Sequence, residues 1–412
     1  MVFFSFLVLL QNYSIFAIIT KEVEVLLVEY AKKGVEVIKL LEQSGHEAFF
    51  VGGFVRDYIL GLTPNDIDIA TNALPNQIAN IFEVVNNGIK FNSVTVIYDG
   101  YSFETTTYRL DLAYADNRHP TYIIADSLIE DLKRRDFTIN AMAMDKDFNI
   151  IDNFGGKEDI SNKIIRTVYD PIKRFSEDAL RMLRACYFAS KLDFLIEENT
   201  FNAIKTCSYL VQSLSNDRVM WELEKIINSN YPEKGLRYLK ISNILPYLLL
   251  FKDGINLILE KGYQKINWLE FLAICFYNNP LKIDEIHLKS GLGKKVREVI
   301  EIAKKTPKND FSAHDLFDYG IELCKAANII NIYYKNSKDK CSQIGEIYNN
   351  LPIHSISELA IKGQDILDNF TLKNKKDIGE ILKEIKEKVL ANKLLNNRTD
   401  ILAYVLKHYT KK

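Results

Sequence analysis

The chain has 412 residues and a mass of 47.5 kDa; 47% of its residues are hydrophobic and 26% charged, with a net charge of −1 and an isoelectric point near 6.6. It is too long and too apolar for a disordered tail or a disulfide-stapled mini-protein, and bulk positive charge as a way of coating nucleic acid is excluded, although a local basic face is not. Five scattered cysteines without a CxxC pair, and only six histidines, argue against a disulfide framework, a zinc site or a His-rich metal site, and fit a reducing cytoplasm.

Residues 1–20 carry no charge and have the length of a membrane span, but Gln11, Asn12 and Tyr13 interrupt them. No basic segment precedes the run and no small-residue cleavage site follows it. An over-long start or an apolar helix packed on the domain is the expectation, with a membrane anchor or targeting role as the competing reading; no other stretch suggests a membrane. Residues 22–44 read as an amphipathic helix, with Val25, Leu26, Val35, Ile38 and Leu41 at helical spacing and Gly45 as its stop. Short β-branched and aromatic runs follow at 48–51, 67–71, 93–98 and 101–107, with a helix at 75–84 after Pro75 and a hairpin at Asp99-Gly100. Beyond about residue 157 the periodicity is almost all helical, at 176–192, 217–228, 292–304, 357–368 and 376–390, with Pro280 and Pro307 as joints. The expected fold class is α+β: an apolar segment at 1–21, a mixed-sheet head at 22–150, and helical parts at 151–270 and 271–412.

Chemistry concentrates in the head. Gly52 and Gly53 follow a strand and precede a helix-like run, an arrangement that turns backbone N–H groups towards an anion, and Arg56 stands one turn further on with a guanidinium fork for phosphate oxygens. Asp66 and Asp68 are two apart, so in a strand both carboxylates project to one face while Ile67 and Ile69 face the core. Two neighbouring carboxylates repel unless a cation lies between them, and Mg²⁺ takes hard oxygen ligands together with water and substrate phosphates. A phosphate cradle beside a divalent-metal site suits phosphoryl or nucleotidyl transfer. Glu104, in the run Tyr101–Thr107, is a third candidate carboxylate or an ordinary exposed strand residue.

The stretch VGGFVRDYILGLTPNDIDIAT (51–71) resembles the first motif of the tRNA nucleotidyltransferase/poly(A) polymerase family, in the bacterial-type (class II) branch of the polymerase β-like nucleotidyltransferases. Arg134–Ala141 (RRDFTINA), Ile151–Gly156 with Ile165–Thr167, Glu177–Ala185 (EDALRMLRA) and Ser215–Val219 (SNDRV) are similar to its later motifs, in the same order. The resemblance is strong from about 46 to 230, and weaker at Leu359–Ile366. It implies a nucleotidyltransferase head followed by an all-helical neck, body and tail. It further implies template-independent addition of CCA to tRNA 3′ ends from CTP and ATP, with Mg²⁺ on Asp66 and Asp68 and no DNA partner. A poly(A) polymerase, or an enzyme adding only CC or only A, is the alternative within the same family.

The resemblance assigns Gly53, Arg56, Arg135, Asn140, Asp178, Arg181 and Arg184 to nucleotide binding. Asn140 would hold a sugar hydroxyl or its own loop, and Arg135 has Asp131 or Asp136 as an alternative salt-bridge partner. On a continuous helix 176–192, capped by Ser176, Asp178 and Arg181 share a face. An Asp acceptor beside an Arg donor matches cytosine and adenine, which both present an amino donor and a ring-nitrogen acceptor; guanine and uracil present the reverse. Leaving polar groups unpaired rejects an analogue by orders of magnitude. Arg109, Leu110, Asp111, Tyr114, Asp116, Arg118 and Pro120 resemble the family's flexible loop, which implies the full CCA reaction. Two positions depart from the pattern: Tyr187 stands where an Arg is common, and Asp217 replaces a Glu. The C-terminal lysines Lys373, Lys375, Lys376, Lys383, Lys386, Lys388, Lys393, Lys407, Lys411 and Lys412 are candidate contacts to an RNA backbone. His314-Asp315 lacks the further ligands that a metal phosphohydrolase site needs.

Overall fold

The run AFFV forms the first strand of the computed structural model, which describes residues 29–64, 66–88, 92–114, 120–369 and 377–409. The expectations for residues 1–20, for Asp116 and Arg118, and for Lys373, Lys375, Lys376, Lys411 and Lys412 lie outside the described residues. Helix α1 (residues 29–43) buries Val37, Ile38 and Leu41. It is followed by β1 (Ala48–Val51), α2 (Gly53–Ile59), β2 (Asp68–Thr71), α3 (Pro75–Ile81), β3 (Glu83–Gly88), β4 (Ser93–Tyr98), β5 (Tyr101–Thr107), β6 (Arg109–Tyr114), β7 (Pro120–Ile124), α4 (Leu128–Lys133), β8 (Ala143–Met144) and β9 (Ile150–Ile151). Among the described residues, one mixed sheet has the order β3-β4-β5-β2-β1-β8-β9, and β6 pairs with β7 in a separate hairpin.

The pairing places β2 in the middle of the sheet, antiparallel to β1 and parallel to β5. Asp68 therefore opposes Val51 on one side and Glu104 on the other. In β5, Phe103, Thr105 and Thr107 are buried and Glu104 points away from the core, so Asp68 and Glu104 come onto one face as in-register neighbours. The turn between β4 and β5 has φ of 49° at Asp99 and 82° at Gly100, the paired left-handed geometry that an Asp-Gly hairpin favours. One boundary differs from expectation. The helix expected over 75–84 stops at Ile81, and Glu83, Val84 and Val85 pair with Ile97, Val96 and Thr95. The two valines suit a ladder better than a last helical turn, and β4 supplies the partner.

After the sheet come α5 (Gly156–Ser161), α6 (Pro171–Glu177), α7 (Leu180–Leu192), α8 (Glu198–Cys207), α9 (Asn216–Ile227) and α10 (Pro232–Ile241). Helix α7 buries Met182, Leu183, Ala185, Cys186 and Ala189 and packs on α9 and α10. The continuous helix expected over 176–192 is broken: Asp178 has φ −149° and ψ 107° and ends α6, and α7 begins at Leu180. Ser176 is no cap; its hydroxyl donates to the Ile172 carbonyl inside α6.

The chain divides into two compact units at Leu248/Leu249. Sheet and helices to α10 belong to the first. The second contains α11 (Lys252–Lys261), α12 (Trp268–Phe276), α13 (Leu292–Lys305), α14 (Ala313–Lys335), α15 (Cys341–Asn349), α16 (Gly363–Asn369), α17 (Asp377–Leu390) and α18 (Arg398–Tyr409). Pro280 opens a short 3-10 segment between α12 and α13, and Pro307 lies between α13 and α14. No helix among the described residues is long and apolar enough to cross a membrane.

Candidate active site

A cavity of about 740 Å³ in the first unit is lined by all ten site residues expected from the sequence: Asp66, Asp68, Glu104, Gly53, Arg56, Arg135, Asn140, Asp178, Arg181 and Arg184. The acidic group comes from the sheet. Asp66 lies just before β2 and is exposed, rather than in the strand with Asp68. Burial pushes the Asp68 carboxyl up to about 6; Arg135 works against that rise, and Glu104 and Asp66 add to it. Carboxylates in mutual repulsion are a donor set for a hard cation. Among the described residues no three His, Cys, Asp or Glu side chains form a ready-made cage. Asp66, Asp68 and Glu104 offer hard oxygen donors, the kind a divalent cation takes together with water and substrate phosphate.

Gly52 is the backbone pivot of the site. Its φ is 68° and ψ −127°, a region essentially reserved for glycine. A Cβ there would stand 2.8 Å from Arg135 Nη1 and 3.6 Å from Asp68 Oδ2. The sequence pattern pointed to Gly53, but a Cβ on Gly53 would meet only Arg56 Nη2, at an ordinary 3.6 Å. Arg135 is anchored to Asp131 by Nη2 at 3.1 Å, while its Nε is buried without a hydrogen-bond partner among the described residues. A buried donor left unpaired is costly.

A polar chain ties the head to α7. Arg56 Nε donates to Asp57 at 2.8 Å and Nη1 to Asn140 Oδ1 at 2.6 Å. Asn140 Nδ2 donates to Asp136 at 3.2 Å, and Arg184 Nε donates to the other Asp136 oxygen at 2.6 Å. Burial by itself would raise the Asp136 carboxyl, but Arg184, Asn140 and Arg181 outweigh it and hold the group below the usual carboxylate range. Asn140 is thus engaged on both ends of its amide, which ties its loop to Arg56 and Asp136. The rings of this wall also carry cations, with Arg56 and Arg184 at 5.3 and 5.2 Å from the centroid of Phe188.

Asp178 and Arg181 meet at the cavity from either side of the helix break, each held by its own partner. Arg218 Nη2 donates to both Asp178 oxygens at 3.0 Å, and the Leu180 amide donates to Oδ1 at 3.0 Å. Arg181 Nη1 donates to Glu177 at 2.7 Å and to the Arg174 carbonyl at 3.0 Å; Nη2 donates to the Arg134 carbonyl at 3.2 Å. An acceptor and a donor are thereby pre-oriented on one wall.

The comparisons with known proteins agree with this layout. The family model described as "Poly A polymerase head domain" matches residues 48–166, "Probable RNA and SrmB-binding site of polymerase A" residues 193–252, and "tRNA nucleotidyltransferase domain 2 putative" residues 281–405. A CCA-adding enzyme of Geobacillus sp. (strain WCH70) is 34% identical over 91% of this chain and 96% of its own. One from Ligilactobacillus salivarius is 36% identical over 89% and 94%. The chain belongs to the CCA-adding enzyme family. A crystal structure of Bacillus stearothermophilus CCA-adding enzyme in complex with CTP superposes with a TM-score of 0.76 at 28% identity, over 92% of this chain and 97% of that one. As in other CCA-adding enzymes, the head is a polymerase-type nucleotidyltransferase domain.

Residues that the sequence reading did not assign to the site complete its wall: Phe188, Lys191 and Lys225 line the cavity, Asp136 links Asn140 to Arg184, and Arg218 holds Asp178. Arg218 lies within the quoted SNDRV motif, so the signal was present, but nothing local says that it reaches back forty residues. In the second unit, His314 pairs with Glu387 at 2.6 Å and Asp315 caps α14 with Ser312. Lys386, expected as an RNA contact, is bound to Asp318 and Glu387 and only 11% exposed, whereas Lys383, Lys393 and Lys407 are exposed.

Gly52→Ala is expected to introduce about 1–3 kcal/mol of backbone strain and to displace Arg135. Misplacement on that scale lowers kcat/KM by about 10²-fold. Steady-state kinetics on a variant that retains the wild-type circular-dichroism spectrum would check this, and Gly53→Ala should lose far less.

Proposed function

We infer that this enzyme builds the 3′-terminal CCA of tRNA without a nucleic-acid template, from CTP and then ATP, releasing pyrophosphate. The observation that carries the reading is the single cavity in which the Asp66/Asp68/Glu104 carboxylates face the same space as Asp178 and Arg181. The tRNA 3′-hydroxyl oxygen bonds to the α-phosphorus and gives up its proton to solvent, as the bond from that phosphorus to the α–β bridging oxygen breaks and pyrophosphate leaves with that oxygen. Asp66 and Asp68 would hold Mg²⁺, which when bound stabilises the charge that develops on the attacking and leaving oxygens. The Arg135 guanidinium, whose Nη1 lies against Gly52, is suited to a triphosphate oxygen. Asp178 accepts from the exocyclic amino group of cytosine or adenine while Arg181 donates to N3 or N1. Glu104 borders the metal-binding carboxylates and adds negative charge there. The exposed lysines of the second unit suit the tRNA backbone. Five free cysteines, three of them buried, are in keeping with a reducing cytoplasm.

Purified protein, Mg²⁺, all four ribonucleotides and a tRNA lacking its CCA provide the test. A product three nucleotides longer, abolished by EDTA, is the expected result. A long A ladder would make the protein a poly(A) polymerase, and a product ending at CC or lengthened only by A would make it a partial-addition enzyme.

A further inference from the structure

A second cavity, of about 320 Å³, opens in the first unit and shares no lining residue with the nucleotide-transfer cavity. That volume lies at the small end of ligand pockets and suits one base or nucleoside, not a duplex. Backbone pairing builds its polar wall. Strands β10 (Ile164–Ile165) and β11 (Leu195–Ile196) run parallel, with Ile165 opposite Ile196. Arg166 and Glu197, each the next residue along, are thereby brought side by side, with Arg166 Nη1 3.5 Å from Glu197 Oε1.

Both groups are held in place, and neither is used up. Arg166 Nε donates to both oxygens of the buried Asp159 at 3.1 Å, while its side chain stays 43% exposed. Its Nη groups make no hydrogen bond among the described residues, so four of its five donors remain available. Glu197 caps α8, its Oε2 accepting from the Thr200 amide at 2.8 Å and the Thr200 hydroxyl at 2.9 Å. Burial by itself would raise its carboxyl, but the Thr200 and Asn199 amides, the Thr200 hydroxyl and Arg166 outweigh it and hold the group below the usual range. An N–H donor beside a carboxylate acceptor matches the edge of a nucleobase, where an N–H group adjoins a carbonyl or ring nitrogen.

The remaining wall is aromatic. The Phe154 and Tyr169 rings lie 5.4 Å apart at 70°, forming a corner. Tyr169 has φ 60°, a left-handed conformation that a bulky residue rarely adopts, yet its side chain is 58% exposed. Packing therefore does not account for the strain, whereas holding a ring ready for a ligand does. The Lys133 ammonium stands 5.2 Å from the Tyr169 ring centroid, a contact that leaves its N–H donors open to a phosphate. Bases that leave the helical stack dock in this way, flat on an aromatic ring and hydrogen-bonded along one edge.

We propose that this cavity is a second nucleotide-binding site, which takes one unstacked nucleobase against the Phe154/Tyr169 corner, with Arg166 and Glu197 on its edge and Lys133 near its phosphate. The nucleotide is a free mononucleotide or a single-stranded position of a bound RNA, which present the same chemistry. The short 3-10 turn Thr138–Asn140 contributes Thr138 to this cavity and Asn140 to the transfer cavity, but the two sites are otherwise separate.

Photolabelling the full-length protein with 8-azidoadenosine 5′-monophosphate, followed by tryptic peptide mapping, tests the site. Saturable label is expected on Asp147–Lys157 and Thr167–Lys173, the peptides that carry Phe154 and Tyr169, with displacement by AMP and not by ribose 5-phosphate. In Tyr169→Gly the AMP concentration that half-displaces label from Asp147–Lys157 should rise at least about fivefold, the worth of one base–aromatic stack. That variant should melt no lower than wild type, because glycine adopts a positive φ freely, and its KM for CTP should be unchanged. Excess tRNA that removes the label assigns the site to an RNA nucleotide; label that persists assigns it to a free mononucleotide, and either result supports the site. Label confined to peptides of the transfer cavity would overturn the proposal. So would displacement by ribose 5-phosphate as effective as by AMP, or an unaltered AMP requirement in Tyr169→Gly.

Discussion

Asp68→Asn is expected to reduce nucleotide addition by at least about 10³-fold while leaving tRNA binding and the melting temperature near wild type. The size follows from the several kcal/mol of transition-state stabilisation that a bound divalent ion supplies, at about 1.4 kcal/mol per factor of ten. Removing one charge takes away a hard ligand and relieves the repulsion from Glu104 and Asp66 that accompanies burial in pushing the carboxyl up. The substitution should therefore cost no stability, since the carboxylate is an electrostatic burden to the unliganded fold. Asp66→Asn should behave similarly. Glu104→Gln should lose less, because Glu104 is exposed and accepts from Ser93 Oγ at 3.3 Å. Quench-flow measurement of the chemical step, paired with filter binding of tRNA, separates catalysis from binding. Equal losses in both would mean that the carboxylates support the fold instead.

Asp178→Ala is expected to lower kcat/KM for CTP and ATP by about 10²–10³-fold and to collapse discrimination against UTP and GTP, because a site built around hydrogen bonds supplies rejection of about 10⁴–10⁵ when its groups are left unpaired. Arg218→Gln should give the same phenotype in weaker form. Arg218 touches both Asp178 oxygens, so its loss frees the carboxylate to rotate without removing it. The distinguishing readout is the ratio of correct to incorrect incorporation: a purely structural Arg218 would lower all four nucleotides together and leave the ratio intact.

The parts of the site legible in the sequence are those encoded over a few residues. Asp66 and Asp68 are two apart, Asp99-Gly100 dictates its own turn, and the glycine pair at 52–53 announces a tight strand-to-helix passage. The helix break at Asp178 was hidden because helical periodicity runs through Glu177–Leu180 without a Pro or Gly; what bends the chain there is the Arg218 fork and the Leu180 amide closing on one carboxylate. The roles of Asn140 and Arg218 depend on partners 84 and 40 residues away, which no local pattern specifies. Glu83 and Val84, the first two residues of β3, read as the end of a helix because the strand gains its ladder only once β4 is in place. Gly52 and Gly53 were indistinguishable until the Arg135 guanidinium could be seen against one of them.

One cavity adds C twice and then A. The most direct test supplies wild-type protein and Mg²⁺ with three tRNAs, ending before the first C, after the first C and after CC, each with a single ribonucleotide. CTP incorporation on the first two, ATP incorporation on the third, refusal of GTP and UTP throughout, and no growth past CCA are the expected results. Incorporation of ATP on all three, continuing into a ladder, would contradict it.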